Sequence, residues 1–403
     1  MKQCIYMIFG ALLLFSCITP VSKENVQNKS LPSIKITYPD RDKLEDLFLS
    51  EIADSIRYIP LETRSKCLLT GVLTAAVSDK YFFIKQRYKL FQFSKEGKFI
   101  RQVGNEGRGP GEFLLRKFII NKSSIFLFPR KARFLEYDFN GNHIRTIKNN
   151  LISSDIEDMT STNDCIVFCN AVRGDFIADA QKKDELVLYD PLQGKDIRKL
   201  KINYGIQKKK GTGHQKITGM QLLARNKESA YYKYIFNDTL YQVNKDGIVP
   251  KFILDFGKHQ YSIDNAYTRG GKNLNKKLRD VITIASMTAF NNHFILSCTY
   301  HDDNDKLHPF ICTLNINSLE VRYCKPFIIN DIDGGPDVPG FMMENGIFPI
   351  EAGSLKNDSR YYHKRFPKEE DYYKKNFKFY TLFDTISENA NPIIQRLFYN
   401  DTF

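Results

Sequence analysis

The sequence predicts an all-β chain: a six-bladed β-propeller of four-stranded antiparallel blades, with short peripheral helices. Three observations carry the expectation. The apolar stretches are short and rich in β-branched and aromatic residues, as in Tyr81 to Ile84, Ile125 to Phe128 and Phe294 to Leu296. A hairpin of constant design recurs along the chain. Its turn glycines, Gly97, Gly141, Gly194 and Gly247, fall at 44- to 53-residue intervals, the length of one four-stranded blade.

Each hairpin has the same logic. An alternating strand ends on an apolar residue, a polar turn follows, and glycine takes the positive-φ position. The copies are Phe91 to Ile100, Glu136 to Ile144, Leu188 to Ile197 and Tyr241 to Val249, with a degenerate fifth, Thr313 to Val321, whose turn carries Ser318 instead of glycine. Blade one reads as Val72 to Val77, Lys80 to Ile84, Lys89 to Phe93 and Phe99 to Val103. Blade two reads as Phe118 to Ile120, Ser124 to Phe128, Arg133 to Phe139 and His143 to Ile147. Blade three centres on Cys165 to Ala171 and Glu185 to Leu200, blade four covers Gln221 to Asp255, and blade five Met287 to Phe327. Asp331 to Phe403 and Ile34 to Glu62 supply a last blade closed by strands from both termini. Seven blades and a two-sheet sandwich are the alternatives. Lys43 to Ile56 and Glu369 to Phe383 have helical spacing or an acidic start, and Arg269 to Arg279 forms a basic insertion that is a third helix candidate.

Composition bounds the rest. The 403 residues include 31 Phe and 22 Tyr but no Trp, and 42% are apolar. A packed core is therefore within reach, and global disorder is excluded. The net charge of +13 is spread out, apart from a loop with Lys208, Lys209, Lys210 and Lys216. Nucleic-acid binding wants a concentrated basic face, so no nucleic acid is expected as a partner.

Residues 1–16 read as a signal peptide. Lys2 precedes an apolar run, Ile5 to Phe15, too short to span a bilayer. Leu14-Phe15-Ser16-Cys17 resembles the bacterial lipobox, which implies acylation of Cys17 and a membrane-lipid partner at the new N-terminus. Residues 17–32 are polar and aperiodic, a flexible tether. Residues 33–403 are expected to form a single, monomeric propeller domain. Acidic residues do not cluster after Cys17, which favours a periplasm-facing outer-membrane anchor over the cell surface.

Several segments resemble the six-bladed β-propeller lipoproteins of Bacteroides and relatives, which are related to NHL- and TolB-type propellers. They are Ile59-Pro60-Leu61-Glu62, then Gly97-Lys98-Phe99 with Gly104 to Phe113, then Asn237 to Tyr241 with Pro250 to Gly257, and finally Asn391-Pro392. The resemblance runs from about Ile56 to the C-terminus. It implies fold and compartment, and it implies no particular chemistry.

Candidate binding residues come from two of these segments. Gly104 to Glu112 is either a backbone nest for an anion with Arg108 as counter-charge, or a tight crossover in which Arg108 pairs with Glu112. Asn237 and Asp238 either close a turn with their own side chains or face a ligand in the central channel. The acidic stretches His301 to Asp305 and Asp331 to Asp337 lack the ligand alternation of a calcium loop. No metal site, cofactor or catalytic residue is assigned. Among the cysteines, Cys165 and Cys169 share one strand face roughly 13 Å apart, too far to bond. Cys312 and Cys324 flank the fifth turn, where a disulfide is one reading and apolar filling the other. Two functions compete: a non-catalytic propeller that binds a small ligand or an envelope protein, and a lyase or hydrolase acting on exported glycans or peptides at the axial funnel. Side chains converging at the funnel discriminate between them. A sensor module within an uptake system is a third reading.

Overall fold

Six sheets stand around one axis, and their innermost strands show how the ring closes. The computed structural model describes residues 31–403 except 72, 108–111, 130–132, 149–155, 171–185, 201–214, 217–221, 227–228, 235, 262–267, 270–277, 305, 334, 341–345, 356–381, 383–384 and 400–403. Blade 1 comprises Leu73–Val77, Tyr81–Gln86, Lys89–Ser94 and Phe99–Gln102. Blade 2 comprises Leu115–Ile120, Ser124–Pro129, Arg133–Asp138 and His143–Lys148. Blade 3 comprises Ile156–Ser161, Ile166–Asn170, Leu186–Asp190 and Lys195–Leu200. Blade 4 comprises Leu222–Asn226, Ser229–Lys233, Thr239–Asn244 and Gly247–Asp255. Blade 5 comprises Thr283–Phe290, His293–His301, Leu307–Asn315 and Val321–Ile329. Each is an antiparallel meander in chain order. Blade 6 orders Ile347–Ile350, Ile393–Tyr399 and Ala53–Pro60, three strands among the described residues. The first strands of blades 1 to 5 touch one another in sequence, and Ile347–Ile350 of blade 6 touches Leu73–Val77 of blade 1.

The seams between blades hold the core. Alternate residues of one strand face opposite seams. Phe82 and Ile84 therefore pack with Ile347 and Ile394 between blades 6 and 1, while Phe83 packs with Leu115 and Phe118 between blades 1 and 2. Further round, Phe126, Phe128 and Phe134 meet Phe168 and Tyr189, and Val167 and Leu188 meet Tyr232 and Val243. Burial on both faces is why these strands read as unbroken apolar runs, each buried large side chain contributing about 1.5–3 kcal/mol.

The recurring hairpins obey one rule beyond the glycine. Ser94, Asp138, Asp190, Asn244 and Asn315 each accept backbone N–H groups of their own turn, the side-chain closure typical of Asx and Ser/Thr turns. Gly97, Gly141 and Gly194 have φ of 82°, 81° and 68°. In the fifth copy Leu319, not Ser318, takes that conformation, with φ 60°. These short turns all lie on one face of the ring. The longer connections, including 103–114, 234–238, 256–282 and 330–346, join strand ends on the opposite face, here called the loop face.

The N-terminal segment departs from expectation. Ser33–Lys35 adds in parallel to the outermost strand of blade 4, and Glu45–Phe48 adds in parallel to that of blade 5. Only Ala53–Pro60 joins blade 6. The helix expected over Lys43 to Ile56 is replaced by 3-10 turns at Arg41–Lys43 and Leu49–Glu51 around the strand Glu45–Phe48. The outer strands of blades 4 and 5 carry unpaired backbone groups, and pairing with them outcompetes local helix formation. Ile34, Ile36, Leu47, Leu49 and Ile52 are all buried by this strap. At the edge of the Arg269 to Arg279 insertion, Thr268–Arg269 pairs with Gln215–Lys216 as a small ribbon, and residues 270–277, where the helix is expected, lie outside the described residues. The other helix candidate, Glu369 to Phe383, lies outside the described residues apart from Leu382, and the signal peptide, Cys17 and the tether to residue 30 lie outside them entirely. Among the described residues, no helix is long and apolar enough to cross a membrane.

Candidate functional site

The inner strands of blades 2 and 3 share an irregularity: pairing slips by one residue after Leu115 and again after Ile156. Such bulges re-aim the side chain that follows, here Lys117 and Asp158. Lys117 Nζ stands 3.5 Å from Asp158 Oδ1 across the blade 2–blade 3 seam. Asp158 also accepts the Met159 N–H at 2.8 Å and a backbone N–H from Leu223 of blade 4. Burial pushes its carboxyl above the usual carboxylate range, and Lys117 and the two N–H groups pull against that. A third of the Asp158 side chain nonetheless stays open to solvent, as befits a group at the loop-face end of the channel.

A second ammonium stands close by. Lys85, opposite Thr74 in blade 1, has its pKa lowered first by burial and then by Lys117. Nearer the hairpin face, Arg225 donates to Ser161 Oγ at 3.4 Å, and Ser161 Oγ donates to the Ile120 carbonyl at 2.8 Å, a polar rung across blades 4, 3 and 2. Burial lowers the Arg225 pKa as well. Among the described residues neither Lys85 nor Arg225 has a carboxylate partner. Lys117 thus pairs with Asp158 on the inner strands, Lys85 on the second strand of blade 1 stands close to Lys117, and Arg225 lies further toward the hairpin face.

The expected residues that the structure describes sit elsewhere. Arg108 lies outside the described residues. Glu112 opens a two-residue strand, Glu112–Phe113, that pairs in parallel with Asn105–Glu106 inside the blade 1–blade 2 crossover. The Gly107 N–H donates to the Phe113 carbonyl at 3.2 Å, so the crossover is closed by its own backbone. Asn237 Oδ1 accepts the Thr239 N–H at 2.7 Å, which is the turn-closing reading. Beside it lies a residue that the sequence reasoning missed. Lys233 is 5% exposed, and its Nζ donates to the carbonyls of Tyr234 at 3.0 Å and Asn237 at 3.1 Å. Burial draws its pKa down to about 8, with the charge of Asp238 acting against that. Burial raises the Asp238 carboxyl in turn, and Lys233 partly offsets it. Asn237 therefore holds a buried lysine through its carbonyl, and Asp238 acts on it through space. The only signal in the sequence is a Lys closing an otherwise apolar strand, Ala230-Tyr231-Tyr232-Lys233.

The acidic loops are internally satisfied. Asp302 accepts the N–H groups of Asn304 and Lys306 and contacts His308 Nε2 at 2.7 Å, and these bonds, His308 foremost, hold its carboxyl at about 2. Asp331 bonds Ser50, while Asp333 accepts from Asn330, Gly335 and Tyr58. Among the described residues no three potential ligands gather as a metal site. Cys312 pairs with Tyr323 and Cys324 with Ile311, so the two thiols face opposite sides of the sheet. The disulfide reading fails on that register. The six described cysteines are all buried, which fits the apolar-filler reading.

One solved structure shares this architecture over nearly the whole chain. A Bacteroides fragilis protein described as a "Putative exported protein" superposes with a TM-score of 0.61 at 17% identity, covering 91% of this chain and 99% of its own. BamB from Moraxella catarrhalis gives a TM-score of 0.39 at 9% identity over 63% of this chain and 66% of its own. The Pan2 WD40 domain of Neurospora crassa gives 0.36 at 9% identity over 62% and 64%. No curated protein matches the sequence. The sequence profile of DUF4934, a domain of unknown function, matches residues 31–397. The chain belongs to the DUF4934 family. In this DUF4934 propeller, three segments that carried the family resemblance converge on the seam where blade 6 meets blade 1. Glu62 bonds Gly97 and Phe99, Leu61 bonds Pro392, and Asn391 bonds Glu62, Cys67 and Leu69. Those segments lock the ring.

Proposed function

We propose that this protein is an exported, lipid-anchored binding propeller of the cell envelope, which holds a small anionic ligand at the loop-face mouth of its channel without transforming it. The observation that carries the reading is the placing of Lys85 beside the Lys117–Asp158 pair with no carboxylate partner of its own among the described residues. Withdrawing a cation from water costs several kcal/mol unless a counter-charge offsets it, and an anion entering the mouth supplies that counter-charge. Propeller loops and a central funnel suit such a role, and the basic net charge of +13 favours approach of anions. The family and the fold fit an envelope protein, and acylation of Cys17 would provide the anchor, facing the periplasm.

Calorimetric titration of the purified protein with citrate and with pyrophosphate tests the ligand. Saturable binding that weakens at least tenfold in Lys85→Met supports the reading, and binding untouched by that change rejects it. Metabolic labelling with palmitate, lost in Cys17→Ser, tests the anchor.

A further inference from the structure

The seam that closes the ring holds three more cations, and they belong to a different place from the channel mouth. Arg57 and Arg396 stand directly opposite each other on the two neighbouring strands Ala53–Pro60 and Ile393–Tyr399. Like charges in that relation repel. Both guanidinium groups lie over one ring: their central carbons are 5.1 Å and 4.5 Å from the Phe398 centroid. Lys95 reaches the same seam from the first hairpin turn of blade 1, with Nζ 4.9 Å from the Phe82 centroid. Asp79 is the carboxylate that acts on this group, and it does so through space, attracting Arg396 and Lys95 without an ion pair to either. Among the described residues Arg57, Arg396 and Lys95 form no hydrogen bond and no salt bridge.

Their donors are therefore free, while their position is fixed. A guanidinium held over a phenyl ring has its N–H groups available to another partner. Two such groups on adjacent strands, with a lysine beside them, match the geometry in which arginine forks grip a tetrahedral oxyanion. Burial and Arg396 lower the pKa of Lys95 to about 8, the behaviour of a cation set among cations and short of anion. We propose that Arg57, Arg396 and Lys95 form an oxyanion site at the blade 6–blade 1 seam, taking the phosphate or sulfate group of a monoester. A phospholipid headgroup and a soluble ester present this same chemistry.

The test uses the full chain carrying Cys17→Ser, so that acylation does not mask membrane binding. Inorganic phosphate is titrated by calorimetry and in thermal melts, with sodium chloride holding ionic strength constant. The expected result is a saturable rise in melting temperature with phosphate, absent with chloride. In a Lys85→Met background, which removes the channel-mouth site, binding weakens at least tenfold in Arg57→Met and again in Arg396→Met. Arg57 is exposed, and its removal relieves the repulsion, so Arg57→Met without phosphate melts no lower than the parent. Phosphate acting no better than chloride overturns the proposal, as does binding that survives both arginine substitutions in the Lys85→Met background. Binding lost only in Lys85→Met moves the site to the channel mouth and overturns it too. Co-sedimentation with phosphatidylglycerol vesicles, judged against phosphatidylcholine, identifies the source. Retention lost in Arg57→Met assigns the site to lipid, and phosphate binding without vesicle retention assigns it to a soluble ester, each upholding the site.

Discussion

Asn391 donates its side-chain amide to the Glu62 carbonyl at 2.7 Å, joining residues 329 positions apart in the chain. The same amide donates to the Cys67 carbonyl at 2.8 Å, and its oxygen accepts the Leu69 N–H at 2.9 Å. One buried side chain thus satisfies three backbone groups between the last strand of the ring and the first blade.

Asn391→Ala is accordingly expected to be among the most destabilising single changes. It strands the Cys67 carbonyl and the Leu69 N–H, and leaves the Glu62 carbonyl only the Cys67 thiol at 3.3 Å, in a site where Asn391 is 2% exposed. Each unsatisfied buried group costs about 1–3 kcal/mol, so a loss of about 3 kcal/mol is expected, allowing for partial relaxation. Asn391→Asp is no remedy, because it faces two carbonyl oxygens with a carboxylate. Urea midpoints with unchanged slopes measure both.

Gly97 tests the other side of the same lock. A Cβ there falls 2.1 Å from the Pro60 carbonyl oxygen, and φ is already +82°. Gly97→Ala must push Pro60 and its strand away, and an expected cost of about 2 kcal/mol or more combines the left-handed penalty with lost pairing. Gly71→Ala is the matched control: φ is +73° and nothing lies within 4 Å, so only the conformational cost of about 1 kcal/mol applies.

Lys233 predicts a pH dependence. Its folded pKa of about 8 lies below the unfolded value of roughly 10.4. Between these values the unfolded chain binds more protons, so stability from this group rises with pH from about 8 to about 10.5. Below pH 8 the penalty of the buried charge is fully present. Lys233→Met is expected to remove this part of the slope, seen as a difference between the two stability–pH curves. Parallel curves across that interval would show that Lys233 is not a buried cation.

The blades were legible because their strands are buried on both faces and separated by turns of constant chemistry. Phe82-Phe83-Ile84 declares a strand whichever seam each residue faces. The strap was not legible, because Leu44, Leu47, Phe48 and Ile52 satisfy a helical spacing locally, and the edge that recruits Glu45–Phe48 lies some 280 residues away at Cys324 to Ile329. The channel cluster escaped for a related reason. Lys117 and Asp158 are ordinary polar residues at strand starts until two bulges and a blade seam bring them together. Glycine spacing found the turns, yet the residue that repeats most faithfully is the Ser, Asp or Asn that closes each of them.

That last point yields a stabilising change. In the fifth hairpin Asn315 closes the turn through bonds of 2.9 and 3.1 Å to Asn317 and Ser318, but the positive-φ position has passed to Leu319, at 60°. A left-handed conformation costs a non-glycine residue about 1–2 kcal/mol. Leu319 is 38% exposed, so little burial is forfeited by shortening it. Leu319→Gly removes the strain at the expense of about 0.4–1 kcal/mol in unfolded-chain entropy. A net gain of about 0.5–1 kcal/mol follows, measurable as a higher melting temperature. Gly194→Ala, four residues after the turn-closing Asp190 as Leu319 is after Asn315 and with φ 68°, should lose a comparable amount. If Leu319→Gly is neutral or destabilising while Gly194→Ala is costly, the fifth turn is held by contacts of the Leu319 side chain and not by the conformational rule of the first three.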